Sequence, residues 1–381
     1  MRSVYFCIQC NAERGAASPG SAGEADLSIN VHVPAPLLHH VTAEIFAAHG
    51  VPRPDAQRVA ACLVDADLRG VASHGVGRIP IYTERLRRKL VNPTPSLTTE
   101  RALTVAARID GDNGLGFVVG TRAMDLALEI ADVHGVGLVL AHRSTHYGMA
   151  ASYLLQALDA GFCAFAFTNA SPAMPIWGGR DAFLGTSPFA FAAPGEPPVV
   201  IDMAMSVVAR GKIRRAMQRG EPIPEGWALD AEGRPTTDAK AGYDGVVLPA
   251  AGVKGSALSL MMEILAGVLS GAAFGGEVRN QYVDFEQPQN VGHCFLALKP
   301  DLFISRAELS ARMTDLANRA KGGRRAQGVE EILLPGEPES RMAVKRRAEG
   351  IPLDAEELAT VVAEADAVQV DVPPVMRTKV A

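Results

Sequence analysis

Apolar positions change period several times along this chain, and those changes divide it into elements. From Pro34 to Asp67 the pattern is helical: Leu37, Leu38, Val41, Ile45 and Phe46 recur at helix spacing. Gly50 and Pro52 punctuate it, and a second helix is expected from about Pro54 to Leu68. Pro80 opens another amphipathic helix, stopped by Asn92-Pro93. Short apolar runs then read as strands: Leu103 to Ile109, Val136 to Leu140, Cys163 to Thr168, Phe189 to Ala193, Val199 to Ile201 and Val291 to Leu298. Helices are expected before Ile130, up to Ala160, over Lys212 to Gly220 and near Arg306 to Lys321. Leu258 to Leu269 is apolar on nearly all sides and predicts a buried helix. Pro222 to Tyr243 reads as loop. The residues past Ala365, with Pro373-Pro374, are expected not to pack, and no internal repeat stands out.

Small polar groups gather at the ends of these runs. Between Thr168 and Lys212 they are Asn169, Ser171, Thr186, Ser187, Asp202 and Ser206. Strand ends and the loops after them are where binding groups project from a rigid scaffold. Ser73, His74 and Arg78 fall within one short turn after Gly70. Gly114-Leu-Gly116-Phe-Val-Val-Gly120 suggests a dinucleotide fingerprint, but its third glycine is one position late. No acidic residue ends the next strand, where a ribose ligand belongs, so this reading is rejected.

Composition narrows the picture. A chain of 381 residues is longer than one core usually holds. A net charge of −5 argues against a nucleic-acid footprint, so an anionic substrate needs locally placed cations. Cys7, Cys10, Cys62, Cys163 and Cys294 form no disulfide framework, which points to a reducing, cytoplasmic compartment. Cys7 and Cys10 lack partners at zinc-site spacing, and no cluster suggests a metal. No apolar run is long enough to span a bilayer.

Five segments in order resemble the malate/L-lactate dehydrogenase family, which also holds ureidoglycolate and sulfolactate dehydrogenases and cyclic imino-acid reductases. They are Ser73 to Arg78, Arg143 to Gly148, Thr168 to Lys212, Pro249 to Gly255 and Pro335 to Glu337. The resemblance runs from about Val33 to Leu353. It implies an α/β (α+β-like) fold: a non-Rossmann dinucleotide-binding domain with a largely antiparallel sheet, and a helical or mixed substrate and dimerisation domain. Residues 1–30 then read as a disordered extension, 31–105 as the helical start of the substrate domain and 106–250 as the dinucleotide domain. Residues 251–365 return to the substrate domain and include a cofactor-contacting segment, leaving 366–381 as a tail.

The resemblance also implies an NAD- or NADP-dependent dehydrogenase of small 2-hydroxy acids, acting as a homodimer. A cyclic imino-acid reductase using NADPH and a catalytically silent dinucleotide-binding protein are the alternatives. His146 matches the base of the ureidoglycolate branch. His74 matches the proton donor of the reductase branches, with Ser73 and Asp202 as its relay. Arg78 is the expected carboxylate clamp. Asp202, Met203, Ala204, Lys254, Gly336, Glu337 and Pro338 are the expected cofactor contacts. Ala170 stands where the ureidoglycolate branch has a cofactor-contacting Ser, so the choice between NAD and NADP stays open.

Overall fold

The computed structural model describes residues 31–377. The expected extension over residues 1–30, with its Cys7 and Cys10, lies outside the described residues. The chain starts with strand β1 (Val31–Val33) and helices α1 (Ala35–Ala48), α2 (Arg53–Leu68) and α3 (Ile79–Arg87). Leu38, Val41, Ile45, Phe46, Val59 and Leu63 form one buried stripe on α1 and α2.

A seven-stranded sheet follows. Its first six members are β2 (Thr98–Leu103), β3 (Ala106–Asp110), β4 (Val136–Ser144), β5 (Cys163–Thr168), β6 (Pro188–Ala193) and β7 (Val199–Ala204), with α4 (Gly116–His134) and α5 (Ala151–Asp159) between them. The expected single strand from Leu103 to Ile109 is in fact a hairpin, β2 turning into β3. Next come α6 (Arg210–Arg219), a small sheet of β8 (Ala228–Leu229), β9 (Pro235–Thr236) and β10 (Val246–Val247), and α7 (Ala239–Asp244). These replace the expected loop. The chain ends with α8 (Val253–Glu263), β11 (Val291–Leu298), α9 (Arg306–Lys321), α10 (Glu337–Glu349), β12 (Ile351–Leu353) and α11 (Ala355–Ala367).

The large sheet has the order β2-β3-β4-β11-β5-β6-β7, and only β3 and β4 run parallel. It therefore draws β2 from before residue 106 and β11 from after residue 250. Alternation sets its two faces. On β5 and β6, Ala164, Ala166, Ala190 and Ala192 lie in the core that α4 and α5 cover. Phe165, Phe167 and Phe189 pack into the opposite core with Met174, Leu184 and Met262. Small residues under the helices let backbone approach closely. The large rings fill the wider space opposite.

Two further expectations need correction. Leu258 to Leu269 is not a buried helix. Leu258, Met261, Ile264, Val268 and Leu269 are all at least 37% exposed, along α8 and the π turn that extends it. Residues past Ala365 do pack: Val372 and Met376 are buried in the core shared with α1 and α11.

His293 sits at the centre of the sheet, fully buried. Its Nδ1 lies 2.8 Å from Thr168 Oγ1 and its Nε2 2.8 Å from Ser144 Oγ. Burial pushes its pKa down from 6.5 to about 3. Below pH 6.5 the unfolded chain takes up a proton that the folded chain refuses. This group thus favours folding fully above that pH, and its contribution is lost as pH falls towards 3. The loss approaches about 1.4 kcal/mol per pH unit. Denaturant midpoints at about pH 7 and about pH 5 measure it. A His293→Gln chain is expected to show a shallower fall, and an equal fall in both chains excludes His293 as the source.

Candidate active site

A cleft runs between the helical layer and the strand ends of the large sheet. Its walls include Ser73, His74, His146, Tyr147, Asn169, Asp202, Gln281, Gln289 and Gly336. The helical side is fixed by Asp67, near the end of α2. Its buried carboxylate accepts the Val76 N–H at 2.8 Å. Gly75 lies so close that any Cβ there would overlap this carboxylate. That contact bends the chain into two short 3-10 turns, Ala72–His74 and Val76–Arg78. Ser73 and His74 enter the cleft wall as a result, whereas Arg78, on the second turn, is not among the wall residues and points to the Ser73 carbonyl and Tyr282.

On the sheet side, His146 follows the end of β4. Its Nδ1 lies 2.8 Å from Tyr82 Oη and accepts the Gly148 N–H at 3.2 Å. The backbone N–H of His146 donates to Gln289 Oε1 at 3.4 Å. The rings of His74 and His146 face each other, with centroids 5.6 Å apart and planes 18° from parallel. Ser73 Oγ lies 2.9 Å from His74 Nδ1.

Charge is distributed unevenly in the cleft. Burial, aided by the Arg78 guanidinium, pushes His74 down to about 3. Burial and then Arg78 hold His146 well below its ordinary value. Both imidazoles are therefore neutral at neutral pH. Arg78 donates through Nε to the Ser73 carbonyl and through Nη1 to Tyr282 Oη at 2.6 Å. Asp202 accepts the Ala151 N–H at 2.8 Å, and burial raises its pKa to about 6.

The other residues singled out in the sequence divide into two groups. Ala204 and Gly336 line the cleft with Asp202. Met203 instead packs into the core on the far face of the sheet, as the period of two along β7 requires. The Glu337 carboxylate is engaged by Lys321 Nζ and the Leu334 N–H. Pro338 is in the first turn of α10, and Lys254 is exposed at the start of α8; neither is among the cleft walls. Asp202 makes no hydrogen bond to Ser73 or His74 here.

Tyr82, Gln281 and Gln289 were missed. Tyr82 had a signal, since it follows Arg78 by four positions and so lies one helical turn further on. The two glutamines, in a polar segment without periodicity, had none. Tyr147 Oη is also notable. It is buried without a partner, and its ring stacks on His293 at 4.8 Å.

Known proteins share the sequence and the fold of this chain. The family profile described as malate/L-lactate dehydrogenase matches residues 33–362. L-sulfolactate dehydrogenase of Methanocaldococcus jannaschii is 38% identical over 312 residues, covering 82% of this chain and 90% of that protein. Its solved structure superposes with a TM-score of 0.84 at 35% identity, covering 90% of this chain and 98% of that one. (2R)-3-sulfolactate dehydrogenase (NADP(+)) of Chromohalobacter salexigens is 42% identical over 67% of this chain and 77% of that protein. Ureidoglycolate dehydrogenase (NAD(+)) of Escherichia coli K12 is 34% identical over 83% of this chain and 90% of that protein. With a profile match across most of its length and a fold shared with a solved relative, this chain belongs to the malate/L-lactate dehydrogenase family.

Proposed function

We propose that this protein is an NAD(P)-dependent dehydrogenase that interconverts a small 2-hydroxy acid and its 2-oxo acid. The observation that carries the reading is His146. It is a neutral, anchored imidazole at the cleft wall, facing His74 and within the field of Arg78. In the structure Nδ1 accepts the Gly148 N–H; moving the ring hydrogen to Nδ1, where Tyr82 Oη at 2.8 Å can accept it, gives Nε2 the lone pair that a substrate hydroxyl needs. The Gly148 N–H at 3.2 Å opposes that tautomer and is the longer of the two contacts. His146 Nε2 then takes the hydroxyl proton, or returns it in the reverse reaction. Arg78 turns its fork to the substrate carboxylate and fixes which face of C2 is presented. His74, tied to Ser73, closes the opposite side.

The cleft suits a dinucleotide. The buried, unpartnered Tyr147 Oη and the Asp202 carboxylate offer groups for hydroxyls, and Gly336, packed directly against Val200, brings its backbone to the same wall. Asp202, Ala204 and Gly336 would hold NAD or NADP, which accepts or returns the hydride at its nicotinamide ring. Reduction of a cyclic imino acid is the second reading. The 2.9 Å contact between Ser73 Oγ and His74 Nδ1 favours it, because that pair would serve as the proton donor. Purified protein mixed with 2-oxo acids or cyclic imines, with NADH and NADPH in turn, tests both readings. Loss of nicotinamide absorbance with 2-oxo acids is expected. Turnover of the imines alone would replace the first reading with the second.

The protein acts as a homodimer in this reading. The apolar stripe Leu258, Met261, Ile264, Val268 and Leu269 lies open on one surface, and large exposed apolar patches mark contact sites. Light scattering is expected to give twice the chain mass of 40.2 kDa. An active species of single-chain mass would exclude it. Among the described residues no helix is long and apolar enough to cross a membrane.

A further inference from the structure

Gln281 lines the cleft with Ser73, His74, His146 and Gln289, yet its carboxamide has no use in the chemistry above. The residue is only 7% exposed. Its Oε1 is buried and has no hydrogen-bond partner. The backbone around it is held firmly. Arg85, 1% exposed, donates to the carbonyls of Gln281 and Asp284 at 3.4 and 2.7 Å. The next residue, Tyr282, binds Arg78 through its hydroxyl at 2.6 Å. The backbone at Gln281 is thus fixed, and its neighbour Tyr282 links this segment to the proposed carboxylate clamp.

A buried acceptor without a partner costs stability, and a ligand that donates to it recovers that cost. Arg78 is the cation next to this position, and the carboxylate on C1 of the substrate takes it. A second anionic group would meet the carboxamide oxygen directly, while the nearby Arg85 guanidinium is already donating to the Gln281 and Asp284 carbonyls. A methyl group would leave the oxygen unpaired in a water-poor pocket. Sites that hydrogen-bond a substrate reject analogues lacking the matching group far more strongly than sites that only pack against it.

We propose that Gln281 is a specificity-determining residue whose Oε1 accepts a hydrogen bond from the substituent next to C2, selecting 2-hydroxy acids that carry an O–H or N–H donor there. The inference rests on the dehydrogenase reading and specifies its substrate class. Lactate-like substrates lack the donor. Malate-like and sulfolactate-like substrates place an acceptor-only group against an acceptor.

The test uses the full chain and four 2-oxo acids, with NADH and NADPH: hydroxypyruvate and oxalurate as donors, pyruvate as the methyl case and oxaloacetate as the acceptor case. Wild-type kcat/KM is expected to be higher for a donor substrate than for pyruvate or oxaloacetate. Gln281→Leu, of similar size, is expected to reduce that preference by about 10- to 100-fold. Gln281→Glu retains an acceptor oxygen and is expected to keep the preference. Thermal melting of both variants checks folding, and within each variant the ratio between substrates cancels any common loss of active protein. Equal losses on all four acids overturn the assignment. So does a wild-type preference for oxaloacetate that Gln281→Glu abolishes, since the carboxamide would then be donating. In either of these cases the dehydrogenase reading stands. Absence of wild-type turnover on all four removes the reading and the inference together.

Discussion

His146→Ala is expected to lower kcat by about 10²- to 10⁴-fold, the usual worth of general acid–base catalysis. His74→Ala should act mainly on KM for the acid, because its ring faces His146 from the cleft wall without the Tyr82 anchor that His146 has. The pH profile separates them further. Burial and Arg78 depress the pKa of His146, so the imidazole stays available as a base well below pH 6.5. Wild-type kcat/KM for alcohol oxidation should therefore hold its plateau on acidification past 6.5 and fall only lower, as His146 takes up a proton. That acid limb should vanish in His146→Ala and survive in His74→Ala. If the limb survives both substitutions, neither histidine carries the proton. If it vanishes only with His74, the relay through Ser73 is the correct assignment.

Gly116→Ala is the second large expected effect, and it comes from backbone packing. Gly116 opens α4, and its N–H donates to Thr145 Oγ1 at 2.9 Å. A Cβ there would overlap the carbonyl oxygens of Thr145 and His146. Backbone on both sides leaves little room to yield, so destabilisation of about 1–3 kcal/mol or more is expected. The displaced segment carries His146, the proposed proton carrier, and a shift of about 1 Å can cost about 10²-fold in rate. Gly211→Ala is the control, because a Cβ on that residue of α6 meets nothing within 4 Å. It should gain up to about 1 kcal/mol, as alanine does over glycine in a helix. Circular dichroism melts and single-turnover rates on both variants measure the two parts. Equal stability of the two variants would refute the close approach at Gly116.

Gly116 also shows what the sequence could and could not convey. The glycines from 114 to 120 were read as a motif that fails as a dinucleotide fingerprint. Their packing purpose was invisible, because the segment they approach lies about thirty residues on, beyond any local pattern. β5 and β11 were legible to the residue, being compact apolar runs between breakers. The stripe on α8 misled for a different reason: a helix that is apolar all round reads as buried whether its partner is its own core or another molecule. Ser73, His74, His146 and Asp202 were legible as chemistry and do line one cleft. Met203 was drawn in with its neighbours, although alternation along a strand turns it away. Gln281 could not be found, since its interest lies in a missing partner that only the fold reveals.

The position of β11 also matters for how the molecule is made. His293 joins two strands synthesised long before it, 125 residues after Thr168 and 149 after Ser144. Until that strand leaves the ribosome, β4 and β5 each present an open edge flanked by apolar faces, the kind of template that promotes mispairing. Closing the sheet requires contacts between distant parts of the chain, which slows folding and lengthens the exposure. A nascent chain paused before residue 291 already holds both histidines of the cleft, but it lacks the strand that sets their separation and depends on protection from its neighbours until synthesis resumes.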